Sequence, residues 1–435
     1  MRKTISLLAL ALVLCLSGVS FATDSDFDDL FGDDLFADLD YQDSSIKPEE
    51  VLLVNEGWEM GGNYHFSVNA SRVYGDKNDP FDSFNTRLGG QVYLDARPDP
   101  NFRVLGKIGL DIAVTKLKDE DGVAQDPLKL RLVELFSDFN YDNKVFFRAG
   151  KQNVKWGVGY FFSPADVINI GRLDPLNPGG DREGPVALKV HYPHGSNNYY
   201  LYTLFDGVDQ PRQIALAPKM EYVLGKSEVG VGGFYQQGKA PRVMLTLSSS
   251  FGEVGLFGEA MLSFGSDKGF LEPSGPFYEI VGRDDLFFQA TAGGLYSYKD
   301  SEGLFNFTGA LQYYFNGEGY KDQGVIRAAR LGQIFPANPD KINLSDFLET
   351  GRHYLGATVV WNKVLGSKFS NSIFLLTNLQ DRSGLVTNTI SLPSFSKISP
   401  SVGVSFNFGE TGSEYAPTGK NTKVFATVTI GSGSF

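Results

Sequence analysis

The sequence predicts an all-β chain: a transmembrane antiparallel β-barrel of 16 or 18 strands, with a long loop that folds inward or caps the mouth. Three observations predict it. Gly, Tyr and Phe supply 105 of the 435 residues, a composition of turn and strand formers. Apolar residues recur at every second position over long segments. The chain also opens with an export leader. Length alone would allow two or three soluble domains. A single Cys excludes a disulfide scaffold or a Cys-cluster metal site, and four His leave little for a His-rich centre. A net charge of −12 argues against nucleic acid as a partner, because phosphate binding needs a basic footprint. No cofactor is expected.

The first element is residues 1–22, read as a secretory signal peptide. Arg2 and Lys3 form its basic start, Ile5 to Leu16 its 12-residue apolar core, and Ser20-Phe21-Ala22 its cleavage site. Twelve apolar residues are too few to span a bilayer as a helix. Cys15 lies inside this segment; a lipobox would cleave before it, but Leu14 is a poor residue for that position. Cleavage leaves 37 basic against 51 acidic residues, a net charge of −14.

Residues 23–45 are the second element. Asp24 to Asp43 holds nine Asp and no Lys or Arg, and it repeats Asp28-Asp29-Leu30-Phe31 as Asp33-Asp34-Leu35-Phe36. Such a segment reads as a solvated, disordered acidic tail on the periplasmic side. The alternative is a short linear motif that docks a periplasmic partner through Phe and Leu.

Residues 46–435 are the barrel. No apolar run here approaches the ~18–20 residues of a membrane helix. Alternation is clear in Phe305–Asn316, in Arg103–Thr115, where Val104, Ile108, Leu110, Ile112 and Val114 share one face, and in Val402, Val404, Phe406 and Phe408. Candidate strands fall near residues 57–71, 85–97, 102–116, 129–141, 144–156, 185–193, 198–206, 214–224, 227–237, 241–250, 252–265, 285–298, 303–316, 351–363, 368–380, 384–392, 397–408 and 422–435. Turn signals such as Asp99-Pro100-Asn101, Tyr141-Asp142-Asn143-Lys144 and Leu224-Gly225-Lys226-Ser227 separate them. A soluble sandwich has shorter strands. In lipid, closure into a barrel is what removes unpaired edges. Asn63, His65, Asn69, Thr308 and Gln312 suit a wet interior, and Trp58, Trp156 and Trp361 suit interfacial girdles. The terminal aromatic, Phe435, is of the kind read by the barrel assembly machinery. Sharing a face with Val424, Ala426, Val428 and Ile430 requires a bulge near Gly431-Ser432-Gly433.

The most distinctive stretch is Gly150-Lys151-Gln152, Trp156-Gly157 and Pro164-Ala165-Asp166-Val167-Ile168-Asn169. It resembles the G-[RK]-Q, W-G, P-x-D-x-x-N pattern of porin-like outer-membrane barrels of diderm bacteria, over roughly residues 145–190. Lys151 stands where that family often has Arg. The resemblance implies a barrel and passage of solutes, without naming the solute.

Ser163 to Gly184 does not alternate and is rich in Pro and Gly, so it is no ladder strand. Its Asp166, Arg172, Asp174, Asp181, Arg182 and Glu183 are the candidate pore constriction if the loop enters the lumen; over the mouth it would be an ordinary long loop. A second insert, Gly317 to Thr350, is a further pore loop or a surface loop, with a helical turn or two over Ile326–Ile334. If Val104, Ile108 and Val186 face lipid, parity puts Arg87, Arg103, Lys107, Arg148, Lys189, Arg242 and Arg352 in the lumen. Asp95, Asp111, Glu253 and Glu259 oppose them. A basic wall facing an acidic loop would favour anions. A lumen of mixed charges would discriminate little.

Enzyme signals are poor. Gly225-Lys226-Ser227 is like the end of a phosphate loop, but Met220 stands where its first Gly belongs. The expected function is therefore a non-enzymatic, porin-like channel for passive diffusion of small hydrophilic solutes. The alternatives are a plugged or hydrophobic-substrate barrel and a surface adhesin or structural barrel. Expected partners are outer-membrane lipid, the assembly machinery acting on Phe435, small solutes, a periplasmic partner of the acidic segment and, as one candidate assembly, further copies in a homotrimer.

Overall fold

The computed structural model describes residues 57–434 apart from 76–79, 114–127, 155, 170–172, 179–182, 276, 302–303 and 338–346. The expected leader, the acidic segment and Phe435 lie outside the described residues.

Alternation resolves into strands at each of the expected places. In the first half these are β1 (Gly57–Gly75), β2 (Phe81–Asp99), β3 (Phe102–Ala113), β4 (Leu128–Tyr141), β5 (Val145–Lys151), β6 (Val186–His194), β7 (Asn197–Leu204), β8 (Ala215–Leu224), β9 (Ser227–Phe234), β10 (Arg242–Phe251) and β11 (Val254–Phe264). A short hairpin, β12 (Phe270–Ser274) and β13 (Phe277–Val281), follows. The second half is β14 (Leu286–Lys299), β15 (Asn306–Asn316), β16 (His353–Asn362), β17 (Ser370–Asn378), β18 (Ser383–Ser391), β19 (Ile398–Phe408) and β20 (Asn421–Ser434). Among the described residues, one α-helix, α1 (Gln323–Arg330), lies between β15 and β16.

All strands but β12 and β13 form one antiparallel sheet of 18 strands, each paired with its chain neighbours. Closure comes from β1 pairing with β20, from Asn63 opposite Ser434 to Gly75 opposite Asn421. The register slips between Tyr64 and Phe66, where β20 carries an extra residue at Gly431, φ +69°. This is the bulge that the C-terminal alternation required. The strand number settles at 18.

The two ends of the barrel differ. At one end β4 turns into β5 through Asp142-Asn143, both at positive φ, and Lys144 N–H donates to Tyr141 O at 3.0 Å. Gly195, Gly225 and Gly252 begin two-residue turns there with φ of +61°, +66° and +64°, the type II′ arrangement. Gly225-Lys226 is thus a hairpin turn with no helix behind it. Glu253, expected in the lumen wall, lies in one of these turns. The first and last strands also begin and end at this end. The other end carries the described parts of the connections 152–185, 205–214, 265–285 with the β12–β13 hairpin, 317–352 with α1, and 409–420. Short turns on the side where β1 begins and β20 ends, with long connections on the other, is the arrangement of periplasmic and external ends.

Side chains alternate accordingly. Val243, Leu245 and Leu247 of β10 point outward and are exposed, while Met244 and Thr246 point inward and are buried. An outer belt near the short turns includes Trp58, stacked Phe139 and Phe147, and stacked Phe305 and Trp361. Trp156 corrects the expectation of a third girdle tryptophan. The candidate strand 144–156 ends at Lys151, and Trp156 is inside the barrel, 1% exposed.

The second insert carries a helix close to where the helical turn was expected. Helix α1 begins three residues before the expected turn, capped by Asp322 accepting from Gly324 N–H at 2.8 Å. Ile326 and Ala329 of α1 pack with Leu271 and Ile280 of the β12–β13 hairpin and with Phe347. The result is a small packed cap at the long-loop mouth. Loop 409–420 is tied to it: Arg327 pairs with Glu410 and donates to Thr411 O, and Glu414 accepts from Tyr354, Asn378 and Thr350.

Candidate functional site

The inner loop, residues 152–185, is built from its root upward. Gln152 ends β5 by donating its amide N–H to Pro185 O at 3.0 Å and its side-chain N–H to Ala187 O at 3.0 Å. Asn169 clasps Val154 from both sides, accepting its N–H and donating to its O at 2.6 Å. Trp156 then packs edge-on against Tyr202 of β7, 5.2 Å between rings, and Lys219 of β8 donates to Trp156 O at 2.8 Å.

Beyond Trp156 the loop meets the far wall. Glu259 of β11 and Gln312 of β15 take its successive amides. Glu259 Oε1 accepts from Val158 N–H at 2.5 Å and Gly159 N–H at 2.6 Å, and Oε2 from Ala165 N–H at 2.8 Å. Gln312 Oε1 accepts from Tyr160, Phe161 and Phe162 N–H groups, while its Nε2 donates to Phe162 O at 2.6 Å and Thr291 Oγ1 at 2.5 Å. Phe161 reaches β17, where its ring meets Phe374 at 5.9 Å, and Phe162 stacks on Tyr314 of β15 at 4.9 Å. Gly356 of β16 makes room: a Cβ there would lie 2.6 Å from the Phe161 ring. Strands β16 and β17 lie on the opposite side of the ring from β5 and β6, so the loop crosses the bore. It enters the lumen.

The candidate constriction residues divide. Asp166 accepts from Asn169 at 2.9 Å and so braces the loop root. Asp174 accepts from Leu176 N–H at 2.9 Å in an exposed turn. Glu183 pairs with Lys151 at 2.5 Å, which holds its carboxyl below that range. Arg172, Asp181 and Arg182 lie outside the described residues.

The basic residues are interleaved with acids. Arg103 grips Asp95 with two bonds of 2.9 and 3.0 Å and reaches Asp138 at 3.5 Å. Arg148 grips Asp138 with bonds of 2.6 and 3.0 Å, and Arg97 joins Asp95 at 2.8 Å. A continuous chain of alternating charge therefore crosses β2 to β5 near the short-turn end. Lys189 stands beside Arg148, its ammonium 5.1 Å from the Tyr200 ring. Arg87 and Lys107 share the lumenal face of β2 and β3. Arg242 pairs with Asp267. Arg352 sits just before β16 at the mouth, donating to Gly319 O at 2.9 Å.

Asp138 was not among the expected lumenal acids. Lys129 and Arg131 of β4 face inward, and unbroken alternation would point Asp138 outward. A bulge at Val133, between the pairings Ile108–Leu132 and Lys107–Glu134, reverses the parity. Glu259 was expected as a free lumenal charge; it is 4% exposed and serves the loop.

No family model matches the sequence. No curated protein matches it either. Among solved structures, the chain is similar to OccK1 (OpdK) of Pseudomonas aeruginosa, with 11% identity, 87% of this chain and 99% of that chain covered, and a TM-score of 0.48. It is similar to OccAB1 of Acinetobacter baumannii at 15% identity, covering 85% and 96%, with a TM-score of 0.48. Salmonella typhi OmpF aligns at 10% identity over 86% and 97%, with a TM-score of 0.42. The closure and strand number above stand on this chain's own pairing.

Proposed function

We propose that the chain is an outer-membrane channel for passive diffusion of small hydrophilic solutes, with a lumen narrowed by residues 152–185. One observation carries the reading: the loop crosses the bore and is bonded to the far wall at Glu259 and Gln312, while the inner faces of β1 to β5 carry polar and charged side chains. A water-filled bore needs polar inner faces under an apolar outer band, and the alternation of Ser67, Asn69 and Ser71 with Val68 and Ala70 has that form. The exported leader read in residues 1–22 fits this location. Catalysis has no part in it.

The interleaved acids make the lumen one of mixed charge, with weak intrinsic selectivity. Planar-bilayer recording of the refolded mature chain should give discrete open steps, and a salt gradient only a small reversal potential. A folded, strand-rich sample that never conducts would overturn the channel reading in favour of a plugged barrel. Arg148→Ala removes the bidentate partner of Asp138, so the reversal potential should move toward cations. An unchanged or anion-directed potential would show that the β2–β5 charges lie off the conducting path.

A further inference from the structure

Turn 158–165 of the inner loop has the character of an anion site whose occupant is built into the wall. Glu259 is 4% exposed, and both of its oxygens are aimed into the turn. Besides three backbone N–H groups, Ser163 Oγ donates to it, at 2.9 Å to Oε1 and 3.2 Å to Oε2. Backbone amides converging on one carboxylate form the concave nest that binds free anions elsewhere. Gly157 fits the same purpose: a Cβ there would collide with Ser163 Oγ and crowd Glu259 Oε1. Gln312 is different in kind. It is neutral, and it holds residues 160–162 as both donor and acceptor.

We propose that Glu259 is a positioning residue: its negative charge, seated in the amide cradle of residues 158–165, fixes the inner loop across the bore as a static restriction. Its bearing on passage rests on the channel reading above, but the seating itself does not. Without the charge the cradle is an empty anion site and the turn leaves the wall. A small free carboxylate can then take the place of the missing side chain.

The test is amide hydrogen exchange on the full mature chain, refolded, together with single-channel recording. In Glu259→Ala the amides of Val158, Gly159 and Ala165 should exchange at least about tenfold faster, while those of β11 and β15 keep their protection. Open current should rise and flicker. Replacing chloride by acetate at equal ionic strength should restore the slow exchange and quiet the current. Glu259→Gln keeps one acceptor oxygen but sets an N–H against a donor, so it should release Ala165 first; it carries the test if the alanine variant does not fold. Gln312→Ala should loosen residues 160–162 with no response to acetate. Protection of 158, 159 and 165 retained in Glu259→Ala would overturn the proposal, as would an acetate effect equal in the Gln312 variant. If the wild-type protein is silent in bilayers while Glu259→Ala loses those amides and regains them in acetate, the channel reading falls and the anion cradle stands.

Discussion

Leu311→Arg is expected to destabilise the folded barrel by about 2–4 kcal/mol. Leu311 is the middle residue of β15 and faces outward, 56% exposed on the isolated chain. In a bilayer that face meets hydrocarbon near the midplane, where a guanidinium has no water and no partner. Its neighbour Gln312 is 0% exposed and points the other way. One residue of register therefore separates a site that rejects charge from one that needs hydrogen bonds. Equilibrium unfolding in urea, with the protein in lipid vesicles, measures the difference. Lys189→Leu, on the lumenal face of β6, should cost less than about 1 kcal/mol. A mild Leu311→Arg together with a severe Lys189→Leu would mean that the faces are assigned the wrong way round.

Trp156→Ala is expected to cost the seated loop about 3–5 kcal/mol, the usual range for truncating a buried large aromatic. The indole is 1% exposed and packed with Tyr202, Met244 and Ala217. It lies at the loop root, so the loss falls on the attachment of residues 152–169 and leaves the strand ladder intact. The expected readings are a larger, noisier open current and new protease cleavage within 156–169, with the barrel still resistant to heat in detergent. Trp58→Ala, on the outer rim with 74% of the side chain exposed, should leave the current unchanged. An unchanged current in Trp156→Ala would show that the loop is held without its root.

The strands were legible because most alternate over much of their length and lie between turn residues. Their count survived even though a short hairpin was missed: Pro273 and the five-residue strands of β12 and β13 leave no periodic signal. The loop was legible as a loop from its prolines. Its direction was not, because Phe161 meets residues about two hundred positions away in the chain, and no local pattern encodes that partner. Alternation places Glu259 and Gln312 in the lumen, but it is silent on what they hold. Asp138 shows the opposite failure. Its neighbours alternate correctly, and one extra residue at Val133 turns it inward, so a rule exact over four residues gave the wrong face over ten.

The pairing of β1 with β20 joins segments that are far apart in sequence: Asn69 bonds to Thr427 across a separation of 358 residues. A row closed by such distant partners cannot form until nearly every intervening hairpin is in place. Until then the sheet has two raw margins, each a line of amides with no water to satisfy them inside a bilayer. Stability in this molecule is consequently not graded along the chain. A polypeptide stopped after β19 does not lose one eighteenth of the structure; it exposes both margins at once, and folding becomes an event of the whole chain or of none.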